Sequence, residues 1–209
     1  MKNIEWGAVA YLKQSNYGLG IIEIGANNNY NYRTGCGIAK SGMGSTSCNT
    51  YNTSTGMLAS TTGNITGVYD MSGGTDEYVM GVIQDNDTTK RSPMSGYSTI
   101  DNSGYIGKAG ESYIDSGNTL AFPNLKYYDL YANGTSFNDY TISHLGDATG
   151  ETAGWYGDYT FFVDASNTWF TRGGYSFMNL AQTGIFNFVP SNGESRNDSG
   201  FRTVLSVTK

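Results

Sequence analysis

Four carboxylates in this sequence have the spacing and surroundings to take part in chemistry. Asp70, Asp76 and Glu77 lie close together in the sequence, and Asp158 follows a Trp-Tyr-Gly turn. Two carboxylates held in one dry pocket could divide the roles of general acid and general base. Buried acids also have a structural use, since they accept hydrogen bonds from backbone amides and pair with arginines. We favour the structural interpretation for Asp70 and Glu77.

Thiol and imidazole chemistry is limited by how few cysteines and histidines the sequence contains. His144 is the single histidine, so a multi-histidine metal site cannot be assembled. A Ser-His-Asp triad would have to use it, and nothing near it suggests a nucleophile elbow. We expect a surface or hydrogen-bonded loop residue at this position, and we predict neither a metal nor another cofactor.

The two cysteines, Cys36 and Cys48, both lie in Gly/Ser/Thr-rich sequence. Their spacing fits a disulfide that closes a loop, worth roughly 3 kcal/mol by loop entropy, and it does not fit a C-x-x-C metal or redox motif. Two free surface thiols are the alternative. A disulfide would indicate an exported protein.

A loose resemblance to a calcium loop occurs at residues 84–88, where oxygen donors alternate in Gln-Asp-Asn-Asp-Thr. This segment lacks the glycine and the distal glutamate at EF-hand spacing. We therefore favour a solvated turn over a calcium site.

Length and composition indicate one domain spanning residues 1–209. Charged residues make up only 14%, while Gly (29) and Tyr (17) are abundant, a composition that suits short strands, turns, ordered loops and adaptable recognition surfaces. The net charge of −6, without a basic run, argues against nucleic-acid binding. No apolar stretch approaches the roughly 20 residues of a membrane helix, and no signal peptide is visible.

Apolar periodicity predicts one helix and several short strands. Residues 3–15 carry apolar side chains at helical spacing, with Asn3 as the expected N-cap and with Trp6 and Tyr11 as expected core contacts. The segments 25–63 and 84–111 lack periodicity. Strands are expected at residues 67–71, 77–83, 169–174, 185–189 and 201–205.

Three groups of motifs occur in the same order as in one known family. Residues 64–78 read N-I-T-G-V-Y-D-M-S-G-G-T-D-E-Y, which resembles the N-x-x-G-L-Y-D-M-x-G-N-V-W-E-W signature of the formylglycine-generating-enzyme family. Residues 4–11 are similar to its A-E-W-E-Y-A-A segment. Residues 172–174 and 200–205 are similar to its R-G-G-S-W and G-F-R-L-V-L segments.

The resemblance covers nearly the whole chain and implies an α+β fold. That fold is a C-type-lectin-like domain of the formylglycine-generating-enzyme type, with short antiparallel strands, few helices and extensive ordered loops. In the family, the segment that matches residues 4–11 follows earlier strands and a helix, so the resemblance also predicts that this sequence is the C-terminal part of a longer protein. The residues expected to form the structural framework are Asp70, Glu77, Arg172, Gly173, Gly174, Gly200, Phe201 and Arg202.

The resemblance does not extend to the relatives' catalytic groups. The sulfatase-activating members carry reactive cysteines between the R-G-G and G-F-R motifs, and here no cysteine lies between Arg172 and Arg202. The relatives that use iron need several imidazoles. Residues 74–76 and 175–176 also depart from the family pattern, which alters the local packing. We therefore predict a protein that is not an enzyme.

The segment between the last two motifs, residues 175–199, mixes aromatic, Asn and Ser positions. It resembles the variable region of proteins diversified by diversity-generating retroelements, which display ligand contacts on this fold. The chain also resembles surface-exposed or pilin-linked proteins of gut Firmicutes. These resemblances imply a ligand-binding domain on a cell, pilus or virion surface, which takes a protein or glycan ligand on another cell or host surface. The expected contacts are Tyr175, Phe177, Asn179, Asn187, Asn192, Arg196 and Asn197.

Three other interpretations of the sequence stay open. The segment 175–199 could be only loop and core strand, and Ile185, Phe186 and Phe188 are expected to be partly core. The chain could be an enzyme of this fold with divergent chemistry, using carboxylates such as Asp76 or Asp158. It could also be a structural subunit of a pilus or phage tail.

Overall fold

The structure is a computed structural model of the 209-residue chain. It describes residues 1–27, 34, 49–84, 112–115, 118–121, 128–132, 136–164, 167, 169–175, 183–191, 193 and 196–205. Within these ranges, only the backbone is described for residues 82–84, 112–115 and 118–121.

One helix and eight short strands form the described part of the chain, so the predicted α+β class is confirmed. The helix is α1 (Asn3–Gln14). The strands are β1 (Asp76–Val79), β2 (Gly81–Gln84), β3 (Ser112–Asp115), β4 (Asn118–Ala121), β5 (Asp129–Ala132), β6 (Trp169–Gly173), β7 (Gly184–Ser191) and β8 (Ser199–Phe201). Short 3₁₀ turns lie at Gly56–Ala59, Tyr140–Ile142, Gly150–Thr152 and Trp155–Gly157.

The main sheet has four strands in the order β7-β6-β1-β8. Its strands pair antiparallel except for β1 and β8, which run parallel. Strands β2 and β5 form a parallel pair, and β3 and β4 form an antiparallel pair.

The N-cap of helix α1 is Lys2, one residue before the expected cap, Asn3. The backbone amide of Lys2 donates to the Glu5 carboxylate at 2.7 Å, which is the half of a capping box that the N3 residue supplies. Asn3 does not cap the helix, because its side chain is fully buried and accepts a hydrogen bond from Arg172 at 3.0 Å. The helix ends where Ser15 turns extended and its backbone amide bonds to the Leu12 carbonyl.

Two predicted strands differ from the observed ones. Residues 67–71 form only an isolated bridge, between Tyr69 and Ser60, because Asp70 has a φ of +61° and interrupts the extended backbone. Residues 77–83 are divided between β1 and β2, since the chain changes partners at Met80: β1 pairs with β6 and β8, whereas β2 pairs with β5.

The predicted closing strand at residues 201–205 is also shifted, because β8 ends at Phe201. Phe201 was expected to belong to the framework, and only its backbone does. The residue is 76% exposed, on the edge strand of the sheet.

The two faces of the main sheet have different roles. Side chains alternate along a strand, and residues paired across antiparallel strands share a face. Glu77 and Phe188 are both in register with Arg172, on the face that packs against α1. Val79 and Phe170 lie on the same face and join the core. The fully buried aromatic residues of this core are Trp6, Tyr131, Phe162, Phe170, Phe186 and Phe188.

Arg172 lies fully buried at the centre of this core. Its guanidinium donates to the carbonyl of Asn187 at 2.9 Å, to that of Asp147 at 3.2 Å and to that of Ala148 at 2.7 Å. It also lies 5.3 Å from the centre of the Trp6 ring, within cation–π range. Burial lowers the pKa of Arg172 to about 10, so the side chain stays charged at neutral pH. A single residue thus joins β6, β7, helix α1 and the loop at residues 147–148.

Replacing Arg172 by Ala should destabilise the protein by about 3–5 kcal/mol, because several buried carbonyls would lose their donor. Arg196 is the matched control. It is an exposed arginine whose ion pair with Asp198 lies at the surface, so Arg196→Ala should change stability by less than about 1 kcal/mol. Thermal and urea melts of the two variants compare them directly. A silent Arg172→Ala together with a destabilising Arg196→Ala would contradict the division between core and surface.

Candidate ligand-binding cleft

An open cleft of about 580 Å³ lies on the face of the sheet opposite to α1. Thr171 and Val189 are paired in register and turn away from the Arg172 face, so they form part of its floor. The cleft lies within the size range of small-ligand sites. The residues that line it are Asp76, Phe137, Tyr159, Phe161, Asn167, Thr171, Tyr175, Val189, Pro190, Ser191, Arg196 and Ser199.

Three aromatic rings form one wall of the cleft. The rings of Tyr159 and Phe161 are 4.4 Å apart and tilted, and Phe137 meets Phe161 edge to face at 6.3 Å. Phe137 is 40% exposed and Tyr159 is 41% exposed, so both rings offer a face to a ligand. Such rings supply much contact area at little conformational cost.

Backbone hydrogen bonds hold this aromatic wall against strand β7. The amide of Phe161 donates to the Phe188 carbonyl at 2.8 Å, and the amide of Phe188 donates to the Tyr159 carbonyl at 3.3 Å. The amide of Phe162 donates to the Phe137 carbonyl at 2.7 Å. The wall is therefore attached to the same strand that contacts Arg172 on the other side of the sheet.

Asp76 is the acid at the base of the cleft. It is only 6% exposed, and its Oδ1 atom is buried with no hydrogen-bond partner among the residues that the structure describes. Burial and, to a smaller extent, the nearby negative charge of Asp198 together raise the pKa of Asp76 to about 7, although the positive charge of Arg196 acts in the opposite direction. The carboxyl group therefore changes its charge near neutral pH.

Arg196 and Asp198 form the rim beside Asp76. The guanidinium donates through Nε to Asp198 Oδ1 at 3.1 Å and through Nη2 to Asp198 Oδ2 at 3.3 Å. These hydrogen bonds raise the pKa of Arg196. Because the arginine is paired in this way, its charge is shared with Asp198 and compensates that of Asp76 only in part.

Tyr175 reaches the cleft because β6 ends in two glycines. Gly173 and Gly174 have φ values of +82° and +71°, a conformation that other residues rarely adopt. At Gly173 a β-carbon would also lie 3.2 Å from the Met71 carbonyl and 3.3 Å from the Trp6 ring. The pair turns the chain out of the sheet immediately before Tyr175.

The predicted ligand contacts fall into three groups. Tyr175 and Arg196 line the cleft, and Asn197 is exposed in the turn beside Arg196. Asn187 does not belong to a binding surface, because its side chain is fully buried in the middle of β7. The remaining three predictions lie outside the described residues: Phe177, Asn179 and Asn192.

The aromatic wall was not predicted from the sequence. Residues 159–163 read Tyr-Thr-Phe-Phe-Val, in which Tyr159 and Phe161 are spaced by two, so an extended backbone turns both to one side. Phe137 lies far from them in sequence and carried no local signal. The long-range contact of Phe137 with residues 161–162 therefore could not be predicted from periodicity.

The predicted framework arginine Arg202 pairs with Glu77. Its Nε donates to the Glu77 carboxylate at 2.5 Å, and its Nη2 donates to the Asp70 carbonyl at 2.8 Å. The Asp70 carboxylate accepts hydrogen bonds from Asn27 and Thr34. These residues lie on the α1 side of the sheet or beside it. At Gly200 a β-carbon would lie 3.1 Å from the Thr75 methyl group.

The four carboxylates weighed for catalysis do not share one pocket. Asp70 and Glu77 lie near Arg202, and Asp76 lies in the cleft. Asp158 is buried elsewhere and accepts a hydrogen bond from the Phe186 amide at 3.0 Å, and burial raises its pKa to about 7. Within the described part of the chain, no cluster of three or more His, Cys, Asp or Glu residues could hold a metal ion.

The remaining predicted positions lie apart from the cleft or outside the described residues. His144 is exposed and stacks on Tyr131 with ring centres 4.5 Å apart. The cysteines Cys36 and Cys48, and the acidic segment 85–87, lie outside the described residues.

Comparisons with known proteins add no further constraint. No family model, no curated protein and no solved structure matches this chain. Over the residues that the structure describes, it contains no helix with the length and apolar character needed to cross a membrane.

Replacing Asp76 by Asn should stabilise the protein in a pH-dependent way. The folded pKa of Asp76, about 7, lies above its ordinary value of 3.8, so the folded state holds this proton more tightly and loses stability as pH rises from about 4 to about 7. Asn cannot ionise. We expect Asp76→Asn to gain roughly 1–3 kcal/mol at pH 8, the usual cost of an unsatisfied buried group, and little at pH 4. Urea melts at both pH values test this, and an equal effect at both would refute the assignment.

Proposed function

We propose that this chain is a non-enzymatic, C-type-lectin-like ligand-binding domain displayed on a cell, pilus or phage surface. It binds a protein or glycan ligand through the cleft between the aromatic wall and the Arg196 rim. One observation carries the proposal: exposed aromatic rings converge in one open cleft with an acid whose buried oxygen has no hydrogen-bond partner among the described residues. Aromatic anchors beside a few polar groups are the usual composition of recognition sites.

The way the cleft is built supports recognition. Its floor is a sheet whose other face is fixed to the core through Arg172, and its walls come from loops. Binding residues are commonly carried on loops that a rigid scaffold positions. Tyr175 and Arg196 belong to the C-terminal segment that resembles the variable region of retroelement-diversified proteins, and that resemblance is the basis for proposing surface display.

Screening the protein on glycan and host-protein arrays should identify a ligand, and paired variants should locate its site. Tyr159→Ala combined with Tyr175→Ala removes one aromatic residue from each of two walls. We expect affinity to fall at least about tenfold, because buried aromatic contacts dominate binding energy. Thermal melts should show that the variant stays folded.

The matched control combines Tyr17→Ala with Tyr51→Ala. These tyrosines are 85% and 59% exposed, and neither lines the cleft. The control should bind as the unaltered protein does. Equal binding by the Tyr159/Tyr175 variant, or loss of binding by the control, would place the ligand outside the cleft.

A further inference from the structure

Asp76 is the acid of the cleft, and among the described residues no cation forms an ion pair with it. Two charged groups face it, Asp198 and Arg196, and these two are bound to each other. Glu77, the next residue of β1, points to the opposite face and pairs with Arg202. Among the described residues that line the cleft, the other titratable side chains are Arg196 and the phenols of Tyr159 and Tyr175.

A buried charge without a partner is costly, and a ligand can remove that cost by supplying the opposite charge. A neutral sugar hydroxyl can donate a hydrogen bond to Asp76 but leaves its charge unbalanced. An ammonium group can donate a hydrogen bond to the part of the carboxylate that lines the cleft, and it also balances the charge. Aromatic faces also attract cations, so the rings of Tyr159 and Phe161 favour a cationic ligand, as the carboxylate of Asp76 does.

The geometry favours an ammonium group over a guanidinium group. A guanidinium binds best when it can bond both oxygens of a carboxylate in one plane, whereas an ammonium is a compact charge on a flexible apolar stem. Asp76 is 6% exposed, with Oδ1 fully covered, so little of the carboxylate is open to a planar fork. The lining residues Val189 and Pro190 and the aromatic rings can pack against an aliphatic stem.

We infer that the cleft binds a lysine side chain of a partner protein, with its ammonium group at Asp76 and its stem against the aromatic wall. This inference rests on the proposed function and narrows its ligand from protein or glycan to protein. Binding is then coupled to the ionisation of Asp76, and the affinity for the lysine falls as the carboxyl group takes up a proton. Because the pKa of Asp76 is about 7, the ionised fraction falls about tenfold between pH 8 and pH 6.

The test uses Nα-acetyl-lysine methylamide as the probe. The norleucine analogue, which lacks the ammonium group, is the neutral control compound. Isotope-labelled protein is titrated with each compound and followed by NMR, which also reports the carboxyl signal of Asp76. We expect the lysine probe to bind and to lower the pKa of Asp76. The affinity of the lysine probe should fall severalfold from pH 8 to pH 6. The neutral control compound should bind weakly, and its affinity should not depend on pH.

Asp76→Asn should abolish the preference for lysine over norleucine. Asp129→Asn is the control with the same change in charge, because Asp129 contacts Lys2 and the backbone of Ile4 at the start of α1. It should keep that preference. The pH dependence in the unaltered protein gives an answer even if a variant does not fold.

Three results would overturn the inference. The two probes could bind alike, neither could bind, or methyl glucoside could bind at Asp76 in their place. If the Tyr159/Tyr175 variant loses its array ligand while the two probes bind alike, the cleft is the binding site and only the choice of lysine is wrong. If the array ligand binds the Tyr159/Tyr175 variant as tightly as the unaltered protein, while binding of the lysine probe still requires Asp76, the proposed function is wrong. The inferred preference of the cleft for an ammonium group is then still supported.

Discussion

The buried guanidinium of Arg172 is the interaction on which the rest of the structure depends. Its bonds to the carbonyls of Asn187, Asp147 and Ala148 and to the side chain of Asn3 connect elements that are distant in sequence. A fully buried guanidinium is stable only when its N–H groups donate hydrogen bonds. The surrounding backbone therefore places carbonyl oxygens where they accept these bonds. The loop at residues 147–148 is further fixed by side chains: Asp147 accepts from Tyr131 at 2.8 Å and Glu151 accepts from the Ala148 amide at 3.1 Å.

This constraint fixes the opposite face of the sheet as well. Side chains alternate along β6, so turning Arg172 into the core turns Thr171 outward, and the register with β7 places Val189 beside it. On β1 the same alternation separates Glu77, which pairs with Arg202, from Asp76, which enters the cleft. Two neighbouring acids thus have different environments. One has a cation as its partner, and the other has a buried oxygen without a partner among the described residues.

Local signals in the sequence predicted the elements better than the cleft. Helix α1 and strands β6 and β7 were expected close to their observed positions, because helical spacing, alternation and the Gly173–Gly174 pair act locally. Asn3 and Asn187 were misassigned for one shared reason: each is a polar residue held in the core beside Arg172, and composition alone suggests a cap or a surface position. Phe137 could not be placed, because its contact with residues 161–162 depends on tertiary structure.

The central claim is that the cleft opposite α1 recognises the ligand. Chemical-shift mapping with a ligand recovered from the arrays tests this claim most directly, because it reports every part of the chain at once. We expect the side-chain signals of Tyr159, Tyr175 and Arg196 to shift on binding. The indole of Trp6, which is buried and donates to the Ile185 carbonyl at 2.7 Å, should stay unchanged. Shifts centred on α1 with none in the cleft would contradict this claim.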